Sequence, residues 1–358
     1  MATISLCMIM KNEEMHLARC LDSVAKLVEE IIIVDTGSTD RTMGIASAYT
    51  PKVYSYPWKD DFSDARNYSF SKATMDYCMW MDADDILEET QREQFLQLKQ
   101  SLPPDVDMVM MRYHTAFDEA GMPSFSYFRE RWIRNCPRYR WVGAVHEVIP
   151  PGGSMIYSDI AVCHRKMKAG DPDRNLNIYR KMIEEGRHLE PRQQYYYGRE
   201  LYDHGQYEEA VSVLEQFLLS PEGWVENKIE ACSVCAGCYG RLGQEQTALL
   251  TLLRSMSYDL PRAELCCEIG KFFLEHGNYP YAVYWYETAL NRPKRAYSDG
   301  FVLPDCYDYV PFLQLCVCYD RMGDRQKAEE YNEKAGVCKP YSKAYLYNKQ
   351  YFDGLRSC

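Results

Sequence analysis

Residues 77–85 read YCMWMDADD, an apolar run followed at once by three carboxylates, Asp82, Asp84 and Asp85. The apolar run predicts a buried strand that ends where the aspartates begin. Carboxylates this close together repel one another and gain nothing from burial. One interpretation is a solvated turn, since aspartate is common in turns. The other is a site for a hard divalent cation, which oxygen ligands bind. Residues elsewhere in the chain decide between the two.

The first half of the chain alternates strand and helix signals on both sides of this segment. Strand-like runs occupy 3–10, 30–34, 52–56, 77–81 and 108–113, and helical spacing occupies 12–28, 41–49 and 63–74. This order predicts a parallel sheet, in which ligands bind beyond the carboxyl ends of the strands. Polar segments follow three of these strands: 11–14 (KNEE), 35–40 (DTGSTD) and 82–85 (DADD). We therefore expect one crevice that suits a nucleoside diphosphate and a carboxylate-held cation.

The second half, from about residue 190, contains helix signals only, and these repeat. Four segments place a glycine five residues before an alanine: HGQYEEA (204–210), LGQEQTA (242–248), HGNYPYA (276–282) and MGDRQKA (322–328). The glycines at 205, 243, 277 and 323 lie 38, 34 and 46 residues apart. This pattern resembles the tetratricopeptide repeat, a helix-turn-helix unit of about 34 residues. The longer spacings predict insertions, notably around 296–305.

Composition and charge limit the class of protein. A length of 358 residues favours two domains, and an apolar content of 46% suffices for packed cores. A net charge of −11, from 41 basic and 52 acidic residues, argues against general binding to nucleic acid or to an anionic membrane. No stretch reaches the roughly 18 uninterrupted apolar residues of a membrane helix. The start, MATISLCMIMKNEE, lacks the pattern of a signal peptide, so we expect a cytoplasmic protein.

Fifteen cysteines form an unusually large set. Without an export signal they are better interpreted as reduced, buried apolar residues than as disulfides. Cys232, Cys235 and Cys238, with Cys266 and Cys267 further on, offer the residue types of a zinc site. The same spacing is one face of a helix, however, and it falls on core positions of the second repeat. We therefore favour buried thiols over zinc.

The polar segments in the first half resemble those of glycosyltransferase family 2 enzymes, which have the GT-A fold. The resemblance is carried by KNE at 11–13, D-x-G-S-x-D at 35–40, Asp-x-Asp at 82–84, WKDDFSDARNYSFSKA at 58–73 and RYRWVGAVHEVI at 138–149. The last segment is similar to the W-x-G-x-x-H-E stretch of one branch of the family. Together they cover residues 1–165. The resemblance implies an α/β, Rossmann-like catalytic domain with a mostly parallel sheet, which moves a hexose from a UDP-sugar with inversion.

The resemblance also implies residues that bind the donor. Asp35 would accept a hydrogen bond from the uracil ring, and Glu13 would lie nearby in the base pocket. Arg66 would lie near the diphosphate or near Asp82, the first carboxylate of the Asp-x-Asp motif. The alternatives are that Asp35 only forms a turn and that Arg66 is a solvated helix residue.

A metal site is implied at the end of the predicted strand. Asp84 would be the principal ligand, and His164 would complete the coordination of Mn²⁺ or Mg²⁺, for which two carboxylates and an imidazole are suitable ligands. Asp85 would either add a contact behind the ligands or cap a helix over 86–89. The basic residues that follow His164 would cover the departing diphosphate; they are Arg165, Lys166 and Lys168.

Catalysis by inversion needs a base on the acceptor side of the sugar. Glu147 is the candidate for this base, with His146 beside it. The two residues replace an acidic pair seen in other members of the family, so a structural role in holding the acceptor loop stays open. Trp141 either stacks on a sugar face or belongs to the core.

The expected organisation has four parts: a GT-A domain at 1–170, a linker helix at 171–190, helical repeats at 191–340 and a tail or capping helix at 341–358. This combination resembles the bacteriocin peptide S-glycosyltransferases of bacteria, so a peptide or protein acceptor bound through the repeats is the first expectation. A cell-envelope glycan or lipid-linked acceptor is the alternative. The sequence leaves open whether a homodimer completes the acceptor side.

Two other classes of protein agree less well with these motifs. A sugar nucleotidyltransferase would open with a glycine-rich loop and an arginine after the first strand, whereas this chain has Lys11, Asn12 and Glu13 there. An adaptor, in which the repeats carry the function and the first domain is inactive, would have no need of Asp35, Arg66 and the Asp-x-Asp motif. Both classes are therefore disfavoured.

Overall fold

The computed structural model describes residues 1–118, 121–165, 170–293 and 302–356. The chain divides into two compact units, Met1–Leu189 and Glu190–Cys358. Lys166 and Lys168, which were expected to cover the diphosphate, lie outside the described residues, as does most of the predicted insertion at 296–305.

The first unit is built on one eight-stranded sheet. Its strands are β1 (Ile4–Met10), β2 (Glu30–Asp35), β3 (Val53–Ser55), β4 (Tyr77–Trp80), β5 (Asp85–Leu87), β6 (Met108–Phe117), β7 (Pro123–Arg134) and β8 (Met155–His164). The strand order is β3-β2-β1-β4-β7-β6-β8-β5. The first four strands in this order are parallel neighbours, as predicted. Beyond β4 the sheet is mixed: β7 is antiparallel to β4 and β6, β5 is antiparallel to β8, and β6 and β8 are parallel. The sheet is therefore mostly parallel.

Both faces of the central strands are buried, because alternate side chains enter two cores. Leu6, Met8 and Met79 belong to one hydrophobic cluster, and Cys78 and Trp80 belong to another. This explains why β1, β2 and β4 read as continuous apolar runs, as strands covered on both sides do. The helices of the unit are α1 (Leu17–Val24), α2 (Thr42–Tyr49), α3 (Phe62–Phe70), α4 (Arg92–Ser101) and α5 (Arg174–Glu184).

Two of the predicted helical segments differ from the structure. The helix expected over 12–28 begins only at Leu17, since Asn12 adopts a left-handed φ of 56° in the preceding loop. Of the two alternatives for Asp85, the one in which it caps a helix over 86–89 is wrong. Residues Asp85–Leu87 form β5, whose backbone pairs with β8. The Asp85 side chain turns into the protein interior instead of capping a helix.

Helix α5 lies in the segment expected to be a linker. The division of the chain at residue 189 places it in the first unit. Its Tyr179 is fully buried, and the Tyr179 hydroxyl donates to the carbonyl of Val145 at 3.5 Å. Lys181 of the same helix pairs with Asp60 at 2.5 Å. The segment is thus tied to the loops of the first unit.

The second unit consists of antiparallel helix pairs. They are α6 (Pro191–Asp203) with α7 (Tyr207–Leu219), α8 (Val225–Arg241) with α9 (Glu245–Arg254), α10 (Ala263–Glu275) with α11 (Tyr279–Leu290), and α12 (Tyr309–Arg321) with α13 (Arg325–Cys338), followed by α14 (Lys343–Arg356). Each turn contains one of the four repeat glycines, all at positive φ between 72° and 86°. The alanine five residues after each glycine is buried in the second helix of its pair. The tetratricopeptide-like repeats are confirmed.

The cysteines of the second repeat line the interior of that unit. Cys232, Cys235 and Cys238 are completely buried along α8. None of the helices in the described part of the chain combines the length and the apolar character that crossing a bilayer requires.

Candidate active site

The carboxyl ends of β1, β2 and β4 lie at one edge of the sheet. Met10 is opposite Asp35 in the β1–β2 pair, and Cys7 is opposite Trp80 in the β1–β4 pair. The loops after these strands carry Glu13, Asp35 and the 82–85 segment, as the parallel topology requires. The side chains divide into three groups: an arginine-centred network, a carboxylate–histidine cluster and a turn at the end of β2.

Arg66 is the centre of the first group. Helix α3 holds it in the interior, where its Nη2 donates to Asp82 at 2.7 Å and its Nε donates to Glu147 at 2.6 Å. Its guanidinium lies 4.9 Å from the ring centroids of both Trp80 and Trp141. Burial alone would raise the pKa of Asp82, but the charge and hydrogen bond of Arg66 outweigh it and lower that pKa. Arg66 is thus no solvated helix residue.

The loop that carries Glu147 is fixed by the same helix. Asn67, next to Arg66, donates its side-chain amide to the carbonyl of Trp141 and accepts from its backbone N–H, both at 2.9 Å. Trp141 is buried against Trp80 and belongs to the core. His146 has a left-handed φ of 51° and stacks at 6.5 Å on Tyr179. Glu147 therefore faces Arg66, whereas His146 faces helix α5.

The second group joins Asp84, Asp85 and His164. Their nearest ligand-type atoms all lie within 4.8 Å of one another. His164 Nδ1 is 3.3 Å from Asp84 Oδ1 and 3.2 Å from Asp85 Oδ1. Asp84 and His164 remain partly exposed, whereas Asp85 is completely buried. Asp84 and His164 can thus reach a ligand from the crevice, and Asp85 lies behind them.

Asp85 supports the cluster from inside. Its Oδ2 accepts from the backbone N–H of Asp82 at 3.1 Å and from Arg131 at 3.3 Å, and its Oδ1 accepts from the Tyr113 hydroxyl at 2.8 Å. A buried carboxylate is stable when paired and hydrogen-bonded in this way. Asp85 therefore fixes the backbone of the loop that presents Asp82 and Asp84.

The pKa shifts of the cluster show strong mutual interaction. Burial raises the pKa of Asp84, and the neighbouring carboxylates of Asp82 and Asp85 add to the rise against the opposing charge of His164. Burial would lower the pKa of His164, but its hydrogen bond to Asp85 and the charges of the surrounding carboxylates raise that pKa above 6.5. Burial and the charge of Asp84 also raise the pKa of Glu13. The crevice thus concentrates negative charge and favours a cation.

The third group is the turn that follows β2. Asp35 is buried, and its carboxylate accepts from the backbone N–H groups of Gly37 and Ser38 at 3.0–3.3 Å. Gly37 has a φ of 110°, which side-chain-bearing residues rarely adopt. On the neighbouring loop, Glu13 Oε2 and His16 Nδ1 are hydrogen-bonded at 3.0 Å. Asp35 therefore forms the turn. Its Oδ2 accepts from both N–H groups, whereas Oδ1 accepts only from Ser38 and keeps a lone pair for a further donor.

The comparison with known families decides the identity of the first unit. The family model described as glycosyl transferase family 2 matches residues 5–158. These residues, most of the first unit, are a glycosyl transferase family 2 domain. Among curated proteins, the TPR repeat-containing protein Synpcc7942_0270 of Synechococcus elongatus is 39% identical over 151 residues, 42% of this chain and 36% of that protein.

Two further relatives are glycosyltransferases by name. SunS, an SPbeta prophage-derived glycosyltransferase of Bacillus subtilis, is 28% identical over 230 residues, 60% of this chain and 53% of that protein. The lipopolysaccharide core biosynthesis glycosyltransferase LpsC of Rhizobium meliloti is 32% identical over 95 residues, 25% of this chain and 34% of that protein. The chain therefore spans about half or less of the length of these relatives.

The glycosyltransferase domain also contains site residues that the sequence analysis missed. Arg129, Glu130 and Arg131 are consecutive on β7, and Glu130 and Arg131 are buried. The guanidiniums of Arg129 and Arg131 lie 4.8 and 3.8 Å from the Trp80 ring. Burial would raise the pKa of Glu130, but the charge of Arg129 outweighs it and lowers that pKa. The available signal was the run of three adjacent charges at 129–131, directly before the apolar pair Trp132 and Ile133.

Proposed function

We propose that the chain is a metal-dependent, inverting glycosyltransferase that moves a hexose from a UDP-sugar to a peptide or protein acceptor. The observation that carries the proposal is the Asp84–His164 pair at the strand ends, next to the Asp82–Arg66–Glu147 network. Both groups lie in the first unit, at the edge of the sheet where ligands of α/β folds bind. This intact charged site disfavours the adaptor alternative.

The donor set fits Mn²⁺ or Mg²⁺. Carboxylate oxygens are the ligands that hard cations prefer, and a single imidazole is compatible with Mn²⁺. Asp84 and His164 would hold the ion, and Asp85 is already used by its buried partners. The pKa of Asp84 is raised by burial first and then by the carboxylates of Asp82 and Asp85, so a nearby cation would compensate charge at this site. A bound cation would supply neutralisation of the charge that develops on the departing diphosphate.

The nucleotide would bind at the loops after β1 and β2. Asp35 is held rigidly by its turn, so the remaining lone pair on its Oδ1 has a fixed direction and would accept from a base N–H. Glu13 lies on the neighbouring loop, where burial and the negative charge of Asp84 raise its pKa. Both residues thus support recognition of a nucleoside that donates hydrogen bonds, as uracil does through its ring N–H.

Glu147 is the proposed general base. Arg66 Nε fixes one carboxylate oxygen at 2.6 Å, which leaves the second oxygen to take a proton from an acceptor hydroxyl or thiol. Because Arg66 also binds Asp82, the base and the donor side are held at a constant separation. His146 would shape the acceptor loop, since its strained backbone turns the chain between Val145 and Glu147.

The acceptor would bind through the second unit. Stacked helix pairs provide concave surfaces that suit extended peptides, and the second unit consists of such pairs. A cell-envelope glycan or lipid-linked acceptor is the second candidate, because LpsC, by its name, acts in lipopolysaccharide core biosynthesis. These two acceptor classes predict different products.

Incubation with a panel of UDP-sugars tests the proposal. We expect Mn²⁺-dependent release of UDP with one sugar, and a mass increase of one hexose on a peptide or protein substrate. The Asp84→Asn variant is the inactive control. UDP release without metal dependence would contradict the cation assignment, and hexose transfer only to glycolipid would favour the second acceptor class. Absence of hydrolysis or transfer with every UDP-sugar would contradict the proposed donor.

A further inference from the structure

Tyr113 lies beside the candidate cation site, on β6. Strand β6 runs parallel to β8, and Tyr113 pairs with Val162, two residues before His164. The antiparallel β5–β8 pair places Asp85 directly opposite His164. Three strands thus bring a phenol, a carboxylate and an imidazole together.

The ring of Tyr113 is held on several sides. It makes edge contacts with Trp80 at 6.3 Å, Tyr127 at 5.6 Å and His164 at 5.9 Å between centroids. The guanidinium of Arg131 lies 4.3 Å from its centroid. Only 5% of the residue is exposed. The position of the hydroxyl is therefore set by packing.

The hydroxyl completes a triangle of polar atoms. Tyr113 Oη is 2.8 Å from Asp85 Oδ1 and 3.1 Å from His164 Nδ1, and these two atoms are 3.2 Å apart. The phenol has one proton, and a carboxylate can only accept. If Nδ1 lacked a proton, its lone pair would face the lone pairs of Asp85 and Asp84. A proton on Nδ1 removes this repulsion, and it can be donated to Asp85 or to the phenol oxygen.

We propose that Tyr113 is a positioning residue that, together with Asp85, holds neutral His164 in its Nδ1–H tautomer. The inference rests on the proposed function, because it leaves Nε2 of His164 as the nitrogen that binds the cation. Metal-binding histidines commonly donate their other ring N–H to such a group, which fixes the ring and its tautomer.

The Tyr113→Phe variant tests this role, since it keeps the ring and removes only the hydroxyl. We expect the dissociation constant for Mn²⁺ alone, measured from the electron paramagnetic resonance of the free ion, to rise about 10–100-fold. The matched control is Tyr77→Phe. Tyr77 is equally buried in the sheet and donates to the carbonyl of Val106 at 2.7 Å, at the opposite end of β4 from the site. Its loss should leave Mn²⁺ affinity unchanged, and unchanged affinity in Tyr113→Phe would overturn the proposal.

A second measurement needs neither a variant of Tyr113 nor a metal. In protein with ¹⁵N-labelled histidine, at a pH well above the pKa of His164, the ring shifts report the tautomer, and His164→Gln assigns the signals. We expect the Nδ1–H form, and the Nε2–H form would overturn the proposal even if Tyr113→Phe did not fold. This experiment uses no cation, so it determines the tautomer whether or not the protein binds Mn²⁺. If the wild-type protein bound no Mn²⁺, that result would contradict the proposed function and not the tautomer.

Discussion

Replacement of Arg66 by methionine should destabilise the first unit strongly. The side chain is 7% exposed and makes ion pairs with Asp82 and Glu147, whose side chains are 34% and 12% exposed. Its removal leaves two like charges in the interior with no cation between them. Breaking a buried pair by removal of one partner typically costs about 3–5 kcal/mol. Asp82 can regain some hydration, so we expect the free energy of unfolding to fall by about 3 kcal/mol, near the lower end of that range.

Urea unfolding followed by tryptophan fluorescence measures this loss, because Trp58, Trp80, Trp132 and Trp141 all lie in the first unit. Arg41→Met is the matched control: Arg41 also pairs with a glutamate, Glu14, but its side chain is 84% exposed, so no measurable change is expected. Arg66→Lys should be intermediate, since a single ammonium cannot replace a two-pronged guanidinium.

The pH dependence of this loss follows from Asp82. Its folded pKa is lowered, so its stabilising contribution is present above the ordinary value of 3.8 and is lost as the pH falls through the folded pKa. The difference in stability between wild type and Arg66→Met should therefore shrink below pH 3.8. Wild-type stability in the methionine variant at neutral pH would refute the ion-pair network.

Four further predictions concern ligand binding and the separate roles of the two units. Asp84→Asn should abolish hexose transfer and leave the circular dichroism spectrum unchanged. The control Asp105→Asn, at an exposed aspartate, should keep full activity. Near wild-type turnover in Asp84→Asn would show that Asp84 does not belong to the site. Mn²⁺ affinity, measured by calorimetry, should rise as the pH increases through the pKa of His164, which is raised above 6.5, because the cation binds the deprotonated ring. An affinity that stays constant between pH 6 and 8 would contradict this. Asp35→Ala should weaken UDP binding by about 1.5–3 kcal/mol, or about 10–150-fold, and unchanged calorimetric affinity would exclude Asp35 from the base pocket. A fragment that ends at Leu189 should retain UDP-sugar hydrolysis but lose transfer to a macromolecular acceptor, and undiminished transfer by the soluble fragment would assign the repeats another purpose.

The local pattern of the sequence was sufficient for much of the fold. Apolar runs predicted β1, β2 and β4, and polar residues after them predicted which loops share the crevice, because the carboxyl ends of parallel strands meet at one edge. The glycine–alanine spacing predicted the repeats, since a tight turn and a small residue at the helix crossing are local requirements. These predictions depend on residues that are close in sequence.

The missing parts depend on pairings between distant segments. Tyr113 and Arg131 enter the site only because β6 and β7 lie between β4 and β8 in the sheet. Nothing near either residue in the sequence indicates that neighbourhood. The assignment of Asp85 as a possible helix cap failed for the same reason, because its partners Tyr113, Arg131 and His164 lie 28 to 79 residues away in the chain.

Removal and return of the metal tests the central claim most directly. Protein treated with EDTA and then freed of the chelator should show no hexose transfer from its UDP-sugar, and added Mn²⁺ or Mg²⁺ should restore transfer in the wild type but not in His164→Gln or Asp84→Asn. Full transfer by the metal-free wild-type protein would contradict the account.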